Sequence, residues 1–188
     1  NVPALVPSLA VPAVDDMAYD TIIVVDASAA AWGAFVAHRP SGTVFELSRG
    51  WTFPVARSAH AEPRAAEEAF LWAESHFGPL LGSVAIVTDH ESMATGQRRA
   101  STLHGGFSNA FPLNSFFASF YSRCGGCPDA RREVFHIEGS LNMADWLSRH
   151  THISSPLVAR PVEVSLPSLK SLWHPYPQDD SPRRQWMG

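Results

Sequence analysis

Runs of apolar residues bounded by turn-forming residues divide much of the chain into predicted strands. β-branched and other apolar residues dominate five such runs, which is the composition typical of strands. The runs are Thr21–Ala27, Trp32–His38, Thr43–Trp51, Ser83–Thr88 and Glu133–Ile137. Because short connections join the first three, we expect them to form an antiparallel meander.

Other segments have the composition of helices. Residues 61–77 are rich in Ala and Glu and end at Gly78-Pro79, and Pro63 is expected in the first turn of this helix. Three further helices are predicted near Ser92–Arg98, Leu113–Tyr121 and Met143–His150. The order of strands and helices therefore predicts an α/β fold.

Prolines mark both ends of the chain. Residues 1–20 contain three prolines, which predicts an extended lead-in. Prolines recur so often over residues 151–188 that we expect a Pro-rich tail or connector there. The predicted domain is therefore residues 21–150. Because the chain starts at Asn1 without a signal-like segment, it is interpreted as a fragment of something larger.

Composition and charge narrow the function classes. With 188 residues, of which 45% are hydrophobic and 17% charged, the chain is long enough for one well-buried core. A formal net charge of −4 argues against a generally basic surface, so nucleic acid would have to be held by a local patch or by metal ions. No apolar run approaches the length of a membrane span.

The two cysteines, Cys124 and Cys127, have the spacing of half a zinc knuckle. A structural zinc site usually takes four ligands, so a reduced pair in a loop is the favoured interpretation. Two cysteines do not make a disulfide scaffold, and a reducing intracellular compartment, cytoplasm or nucleus, fits best.

Four acidic residues lie where a predicted strand or helix begins or ends: Asp26, Glu62, Asp89 and Asp145. Asp26 and Asp89 close runs of β-branched apolar residues, where a buried carboxylate is costly unless a cation or hydrogen bonds compensate it. The alternative is that both aspartates cap strand-to-loop turns, as Asp often does. Four acids in this order favour the ligand set of a two-metal nuclease.

Two motifs at opposite ends of the predicted domain carry a family resemblance. The segment Asp26-Ala-Ser-Ala-Ala-Ala-Trp-Gly33 resembles the first hairpin of ribonuclease H domains in retroelement reverse transcriptases. The segment from His136 to Arg149, with Asn142-Met-Ala-Asp145 at its centre, resembles the end of such domains. A weaker match, His104-Gly-Gly-Phe-Ser108, is similar to a step found in tyrosine-recombinase retrotransposons.

The resemblance, which spans roughly residues 20–150, implies a ribonuclease H-like fold. Such a fold has a central five-stranded mixed sheet, with three antiparallel strands followed by two parallel strands, flanked by helices. It also implies two Mg²⁺ or Mn²⁺ ions. Asp26 would bridge the ions, Asp145 would complete the nucleophile-side site, and Glu62 with Asp89 would hold the leaving-group-side ion.

The helical ligand has three candidates on one predicted helix: Glu62, Glu67 and Glu68. The approach Ser58-Ala-His-Ala-Glu62, followed by small residues, resembles the retroelement pattern with the acid in the first turn. Glu67 and Glu68 would lie deeper along the helix and more often belong to a solvated face. Glu62 is therefore the preferred ligand.

By the same resemblance, the expected reaction is hydrolysis of the RNA strand of an RNA/DNA hybrid. Such hybrids are recognised mostly by shape and by contacts to the backbone. The predicted substrate contacts are Ser28, Asn142, Arg98 and Arg99. An upstream reverse transcriptase domain is an expected partner, and no membrane partner is expected.

The sequence offers weaker candidates for proton transfer than for metal binding. Only five residues separate Gly139 from Asp145, which is too few for the loop that carries a helper histidine in many cellular members. His136 on the last strand and His90 beside Asp89 are candidates, although each can also be an ordinary strand or surface residue.

Two alternatives remain at this point. One is a catalytically silent ribonuclease H-like module that binds RNA or protein in a larger assembly, using the Phe-rich helix and the Pro-rich tails. The other is an integrase or exonuclease of the same superfamily, which would cleave substrates made of DNA alone.

Overall fold

A mixed sheet forms the centre of the protein. The computed structural model describes residues 19–91, 93–94, 111–122 and 131–163. In the described ranges the sheet has six strands: β1 Thr21–Ala27, β2 Ala31–His38, β3 Thr43–Gly50, β4 Val84–Thr88, β5 Arg132–His136 and β6 Val158–Val162. Five of them match the predicted strands to within two residues at each end.

The strand order in the sheet is β5-β4-β1-β2-β3-β6. β1, β2 and β3 pair antiparallel, whereas β4 runs parallel to both β1 and β5. The predicted ribonuclease H-like arrangement of three antiparallel strands followed by two parallel strands is therefore confirmed. It places the carboxyl ends of β1, β4 and β5 at one end of the sheet.

The sixth strand corrects the predicted number of strands. β6 pairs antiparallel with β3, and Arg160 of β6 forms an ion pair with Glu46 at 2.9 Å. Because this region is rich in prolines, its sequence predicted a tail rather than a strand. Pro161 is tolerated because β6 lies at the edge of the sheet, where one side of the backbone needs no partner strand. The division into lead-in, domain and tail stays a prediction.

Within the part of the chain that the structure describes, three helices flank the sheet: α1 Ser58–Phe77, α2 Phe111–Ser122 and α3 Ala144–Arg149, the last preceded by a 3-10 turn at Gly139–Leu141. α1 begins three residues earlier than predicted, so Pro63 lies inside the helix rather than in its first turn. Its missing N–H leaves the carbonyl of Ala59 without the usual helical donor. Ala59 is exposed, so this carbonyl can be solvated instead.

The two faces of the sheet carry separate apolar cores. Ile23 and Val25 of β1 face α1 and α2, against a row of alanines on α1 that lets the helix approach the sheet closely. Ile22 and Val24 point to the opposite face, toward α3. Because alternate residues of β1 are buried on both sides, the end of this strand can present groups to helices from either layer.

Gly33 on β2 allows α3 to pack directly on the sheet. A Cβ added at this position would collide with the Cβ of Leu147 and would lie 3.1 Å from the backbone nitrogen of Ser148. α3 can therefore approach the β1–β2 hairpin at a distance that a larger residue would not permit.

Among the described residues, none of the helices combines the length and the apolar composition that a membrane-spanning helix needs.

Several predicted features lie outside the described residues. They are residues 1–18 of the lead-in, most of Ser92–Arg98, Arg98 and Arg99 as substrate contacts, the His104–Ser108 motif, the Cys124 and Cys127 pair, and residues 164–188.

Candidate metal centre

Three carboxylates from three separate elements converge at the carboxyl ends of β1 and β4. Asp26 is the penultimate residue of β1, and Asp89 directly follows β4, the parallel neighbour of β1. Glu62 comes from α1, where its Oε2 accepts a hydrogen bond from the backbone N–H of Ala27 at 3.2 Å. One oxygen of each carboxylate lies within 4.8 Å of the others, which is close enough for a shared metal ion.

The fourth predicted acid, Asp145, lies in the first turn of α3, outside that set of three. Its Oδ1 accepts a hydrogen bond from Nε of Arg149 at 3.0 Å. Its negative charge nevertheless raises the pKa of Asp26, Glu62 and Asp89. Asp145 therefore belongs to the same electrostatic environment, although a basic neighbour already holds one of its oxygens.

Burial makes this cluster electrostatically unfavourable by itself. Asp26 and Glu62 are only 3% and 4% exposed. Burial is the largest cause that raises the pKa of each well above its usual range, and the charges of the neighbouring carboxylates raise it further. Burial also raises the pKa of Asp89. Close, buried like charges of this kind require either protons or a cation.

The donor set fits a hard divalent cation. Glu62 Oε1 and Asp145 Oδ2 are buried and have no hydrogen-bond partner within the described part of the chain. A buried carboxylate oxygen without a partner is costly, and a bound cation removes that cost. Carboxylate oxygens are also the protein ligands that Mg²⁺ and Mn²⁺ prefer. The carboxylates therefore form a site suited to such a cation.

Ser148 is a member of the site that was not predicted from the sequence. Its hydroxyl lies 2.8 Å from Asp26 Oδ2 and 2.9 Å from the carbonyl of Asp145, and its bond to Asp26 opposes the rise in the pKa of that carboxyl. The signal was present in the sequence, because Ser148 follows Asp145 by three residues on a predicted helix. Residues at that spacing share one helical face.

The other two candidate glutamates of α1, Glu67 and Glu68, point elsewhere. Glu67 accepts hydrogen bonds from serine hydroxyls of α2. Glu68 accepts one hydrogen bond from Trp32 Nε1 at 3.2 Å and another from Arg49 at 3.0 Å. Of the three candidates on this helix, Glu62 is the one that the structure brings to Asp26.

Both histidines proposed for proton transfer lie near Asp89. His90 is half-buried, and burial lowers its pKa more than the charge of Asp89 raises it. His136 is exposed at the end of β5, and its charge, like that of His90, opposes the rise in the pKa of Asp89. Their participation in a reaction stays a prediction.

Ser28 and Asn142 have internal contacts. The hydroxyl of Ser28 lies 2.8 Å from the carbonyl of Ser148, so it ties the β1–β2 turn to α3. Asn142 is fully buried: its Nδ2 donates to the carbonyl of Val25 and its Oδ1 accepts from the N–H of Ala144. Asn142 therefore supports the site from inside the protein rather than offering its amide to a substrate.

The chain matches no protein-family model and no curated protein. Among solved structures, it is similar to the N-terminal ribonuclease H domain of a Mycobacterium tuberculosis protein fused to maltose-binding protein. That match has 18% identity and a TM-score of 0.48, and it covers 68% of this chain and 88% of that one. Ribonuclease H1 of the halophilic archaeon Halobacterium salinarum gives 16% identity and a TM-score of 0.41, with coverages of 69% and 92%.

Proposed function

We propose that this protein is a metal-dependent ribonuclease H that hydrolyses the RNA strand of RNA/DNA hybrids. The convergence of Asp26, Glu62 and Asp89 from three elements, with Asp145 beside them, is the observation that carries the proposal. A structural role for these acids would not favour so much buried negative charge in one place. Their positions at a strand end and in a helix suit a rigid ligand set.

The side chains of the site would have different roles in this reaction. Asp26, Glu62, Asp89 and Asp145 would hold two Mg²⁺ or Mn²⁺ ions. Bound ions of this kind supply positive charge that activates a water molecule and stabilises the leaving 3′-oxygen. Ser148 orients Asp26 through its hydroxyl, and Arg149 orients Asp145.

The retroelement origin is a separate part of the proposal, and it is supported by the sequence motifs alone. The ending Asn142-Met-Ala-Asp145-Trp-Leu-Ser-Arg149 is its main support. The short turn at Gly139–Leu141 between β5 and α3 is in keeping with a domain that has no helper-histidine loop there. We therefore expect catalysis without that histidine.

A cleavage assay tests the function directly. Purified protein with Mg²⁺ or Mn²⁺ is incubated with a hybrid labelled on the RNA strand, with matched RNA duplex and DNA duplex as comparison substrates. We expect cleavage of the RNA strand of the hybrid alone, and loss of ~100-fold in rate for Asp26→Asn, since a proposed metal ligand is impaired.

Asp20→Asn is the matched control for that variant. Asp20 is exposed and accepts a hydrogen bond from the N–H of Ser83, which an asparagine oxygen can also accept. It should cleave like the wild type. An intact hybrid with either metal, or full activity in Asp26→Asn, would exclude the proposed enzyme, whereas cleavage of DNA duplex would indicate another nuclease of the superfamily.

A further inference from the structure

A groove beside the candidate metal centre has the chemistry of a nucleic-acid backbone site. We propose that it binds a phosphodiester of the strand that flanks the scissile phosphate, and this proposal rests on the proposed function. The groove has a volume of about 420 Å³ and lies between the loop after β3 and the start of α1. We call it the β3–α1 groove, and its lining includes Arg49, Trp51, Phe53, His60, Arg64 and Glu68.

The groove is continuous with the turn that follows Asp26. Trp51 Nε1 donates a hydrogen bond to the carbonyl of Ser28 at 3.0 Å, and the backbone N–H of Trp51 donates to the carbonyl of Ala30 at 2.8 Å. The N–H of Val55 donates a hydrogen bond to the carbonyl of Ala29, also at 2.8 Å. A strand held at the carboxylates would therefore pass the β1–β2 turn and meet the groove next.

The floor of the groove is fixed from the opposite side as well. Trp51 is only 4% exposed, and its carbonyl accepts a hydrogen bond from the N–H of Ser154 at 2.7 Å. The N–H of Gly50 donates to the carbonyl of Ser155 at 3.0 Å, and a side chain at Gly50 would collide with this segment. A floor held on both sides can receive a ligand without first being ordered, which lowers the cost of binding.

The charge of the lining is positive. Arg49 forms an ion pair with Glu68 at 3.0 Å, so these two charges largely compensate each other. The guanidinium of Arg64 lies 5.4 Å from the centre of the Trp51 ring and has no hydrogen bond or ion pair with any residue in the described ranges. Arg64 is thus an exposed guanidinium held over an aromatic ring, and a guanidinium in this position suits a phosphate.

An exposed aromatic ring completes the site. Phe53 lies in the same lining and is 76% exposed, the highest exposed fraction among the large apolar residues of the described ranges. Because the bases of a hybrid duplex are paired and stacked inside it, this ring can reach only the sugar-phosphate backbone, where a contact carries no sequence information. Arg64 and Phe53 together therefore indicate sequence-independent binding of a nucleic-acid strand, although the chain as a whole has a net charge of −4.

Binding measurements separate this proposal from the proposed function. Fluorescence anisotropy of a labelled RNA/DNA hybrid is measured with Mg²⁺ over a range of NaCl concentrations, in an Asp26→Asn background that leaves the hybrid intact. Arg64→Gln should raise Kd by about 5- to 10-fold at moderate salt, and it should reduce the slope of log Kd against log salt by about 1. Phe53→Ala should raise Kd with an unchanged slope, because it removes an apolar contact to the backbone sugars and no charge.

Arg131→Gln is the matched control. Arg131 is also exposed and lies 5.1 Å from the centre of an aromatic ring, that of Tyr19, but it precedes β5 at the opposite end of the sheet. It should leave both Kd and the salt slope unchanged. Arg64→Lys keeps the positive charge and should therefore keep the salt slope. If Arg64→Gln lowers the melting temperature, Arg64→Lys still shows whether the charge at this position determines the slope.

The outcomes are distinct. If Arg64→Gln binds like its parent, or if Arg131→Gln loses as much affinity, the groove does not bind the strand, while cleavage by the wild type would still support the nuclease. If the wild type does not cleave but Arg64→Gln alone weakens binding, the groove binds a nucleic-acid strand, and the proposed enzyme fails together with the assignment of a scissile phosphate. Absence of any hybrid binding would overturn both.

Discussion

Ser148 Oγ lies 2.8 Å from Oδ2 of Asp26, so the last described helix holds the first acid of the site directly. Ser148 is almost completely buried and also lies within hydrogen-bond distance of the carbonyl of Asp145. One hydroxyl group therefore couples the two aspartates that come from opposite ends of the domain.

Replacing this hydroxyl should weaken metal binding more than it weakens the fold. Ser148→Ala removes one buried hydrogen bond, worth about 1 kcal/mol of stability. A partner that orients a metal ligand typically contributes about 10- to 100-fold in metal affinity or activity. We expect the Mg²⁺ concentration for half-maximal cleavage to rise by about 10-fold, measured by titrating the hybrid assay.

Ser75→Ala, on the exposed surface of α1, is the control for that change. It should leave both the melting temperature and the Mg²⁺ requirement unaltered. An unchanged Mg²⁺ requirement in Ser148→Ala would show that the hydroxyl does not position Asp26 for metal.

The metal-free protein should lose stability as pH rises. Burial and mutual repulsion raise the pKa values of Asp26, Glu62 and Asp89 in the folded state above those of the unfolded chain. The stability contributed by their protons is complete below the usual carboxyl pKa of about 4, and it is lost as pH rises through the raised values. Urea unfolding in EDTA at a series of pH values measures this loss.

Asp26→Asn should reduce that loss, because it removes one buried charge from the cluster. Its metal-free melting temperature should exceed that of the wild type at neutral pH, by about 2–4 °C for each kcal/mol of electrostatic repulsion that is removed. Asp20→Asn removes an exposed charge and should melt like the wild type. A lower melting temperature for Asp26→Asn would contradict the repulsion inferred here.

Adding Mg²⁺ or Mn²⁺ should stabilise the wild type, since the ions bind the folded carboxylates and not the unfolded chain. At 100 times Kd the gain is about 2.7 kcal/mol. Differential scanning calorimetry with and without metal should show this increase in Tm for the wild type and a much smaller one for Asp26→Asn. Equal shifts in both proteins would place the metal elsewhere.

Gly33→Ala should disturb the packing of α3. The new methyl group would collide with Leu147, and forced overpacking of this kind costs roughly 1–3 kcal/mol. Because α3 carries Asp145 and Ser148, cleavage should fall as well. Ser48→Ala, at the β3 position paired with Gly33, is the control, and it should unfold at nearly the wild-type urea concentration.

The elements that could be predicted from sequence are those with local signals. The apolar runs that end at Asp26 and Asp89 define β1 and β4, and their parallel pairing is enough to bring the two acids together. The choice of Glu62 followed from its flanking motif, although α1 starts earlier than its composition suggested.

What could not be predicted depends on partners distant in the chain. β6 is exposed and interrupted by Pro161, and it becomes a strand because β3 offers an unpaired edge. Asn142 has the same polar chemistry as a substrate contact, and only the position of Val25 shows that its amide is used inside the protein. Local pattern carries no information about such distant pairings.

The hydrogen bonds already made by the acids have a consequence for which ions the site can take. Ala27 occupies one oxygen of Glu62, Arg149 one oxygen of Asp145, and Ser148 one oxygen of Asp26. In Glu62 and Asp145 the other oxygen has no hydrogen-bond partner within the described residues, which favours ligation through that one atom. A large ion such as Ca²⁺, which takes many oxygens and often grips a carboxylate by both, is poorly served by such ligands. A small octahedral ion that keeps several waters is well served. The hydrogen bonds that hold the helices to the sheet thus also favour a small ion over a large one at the metal centre.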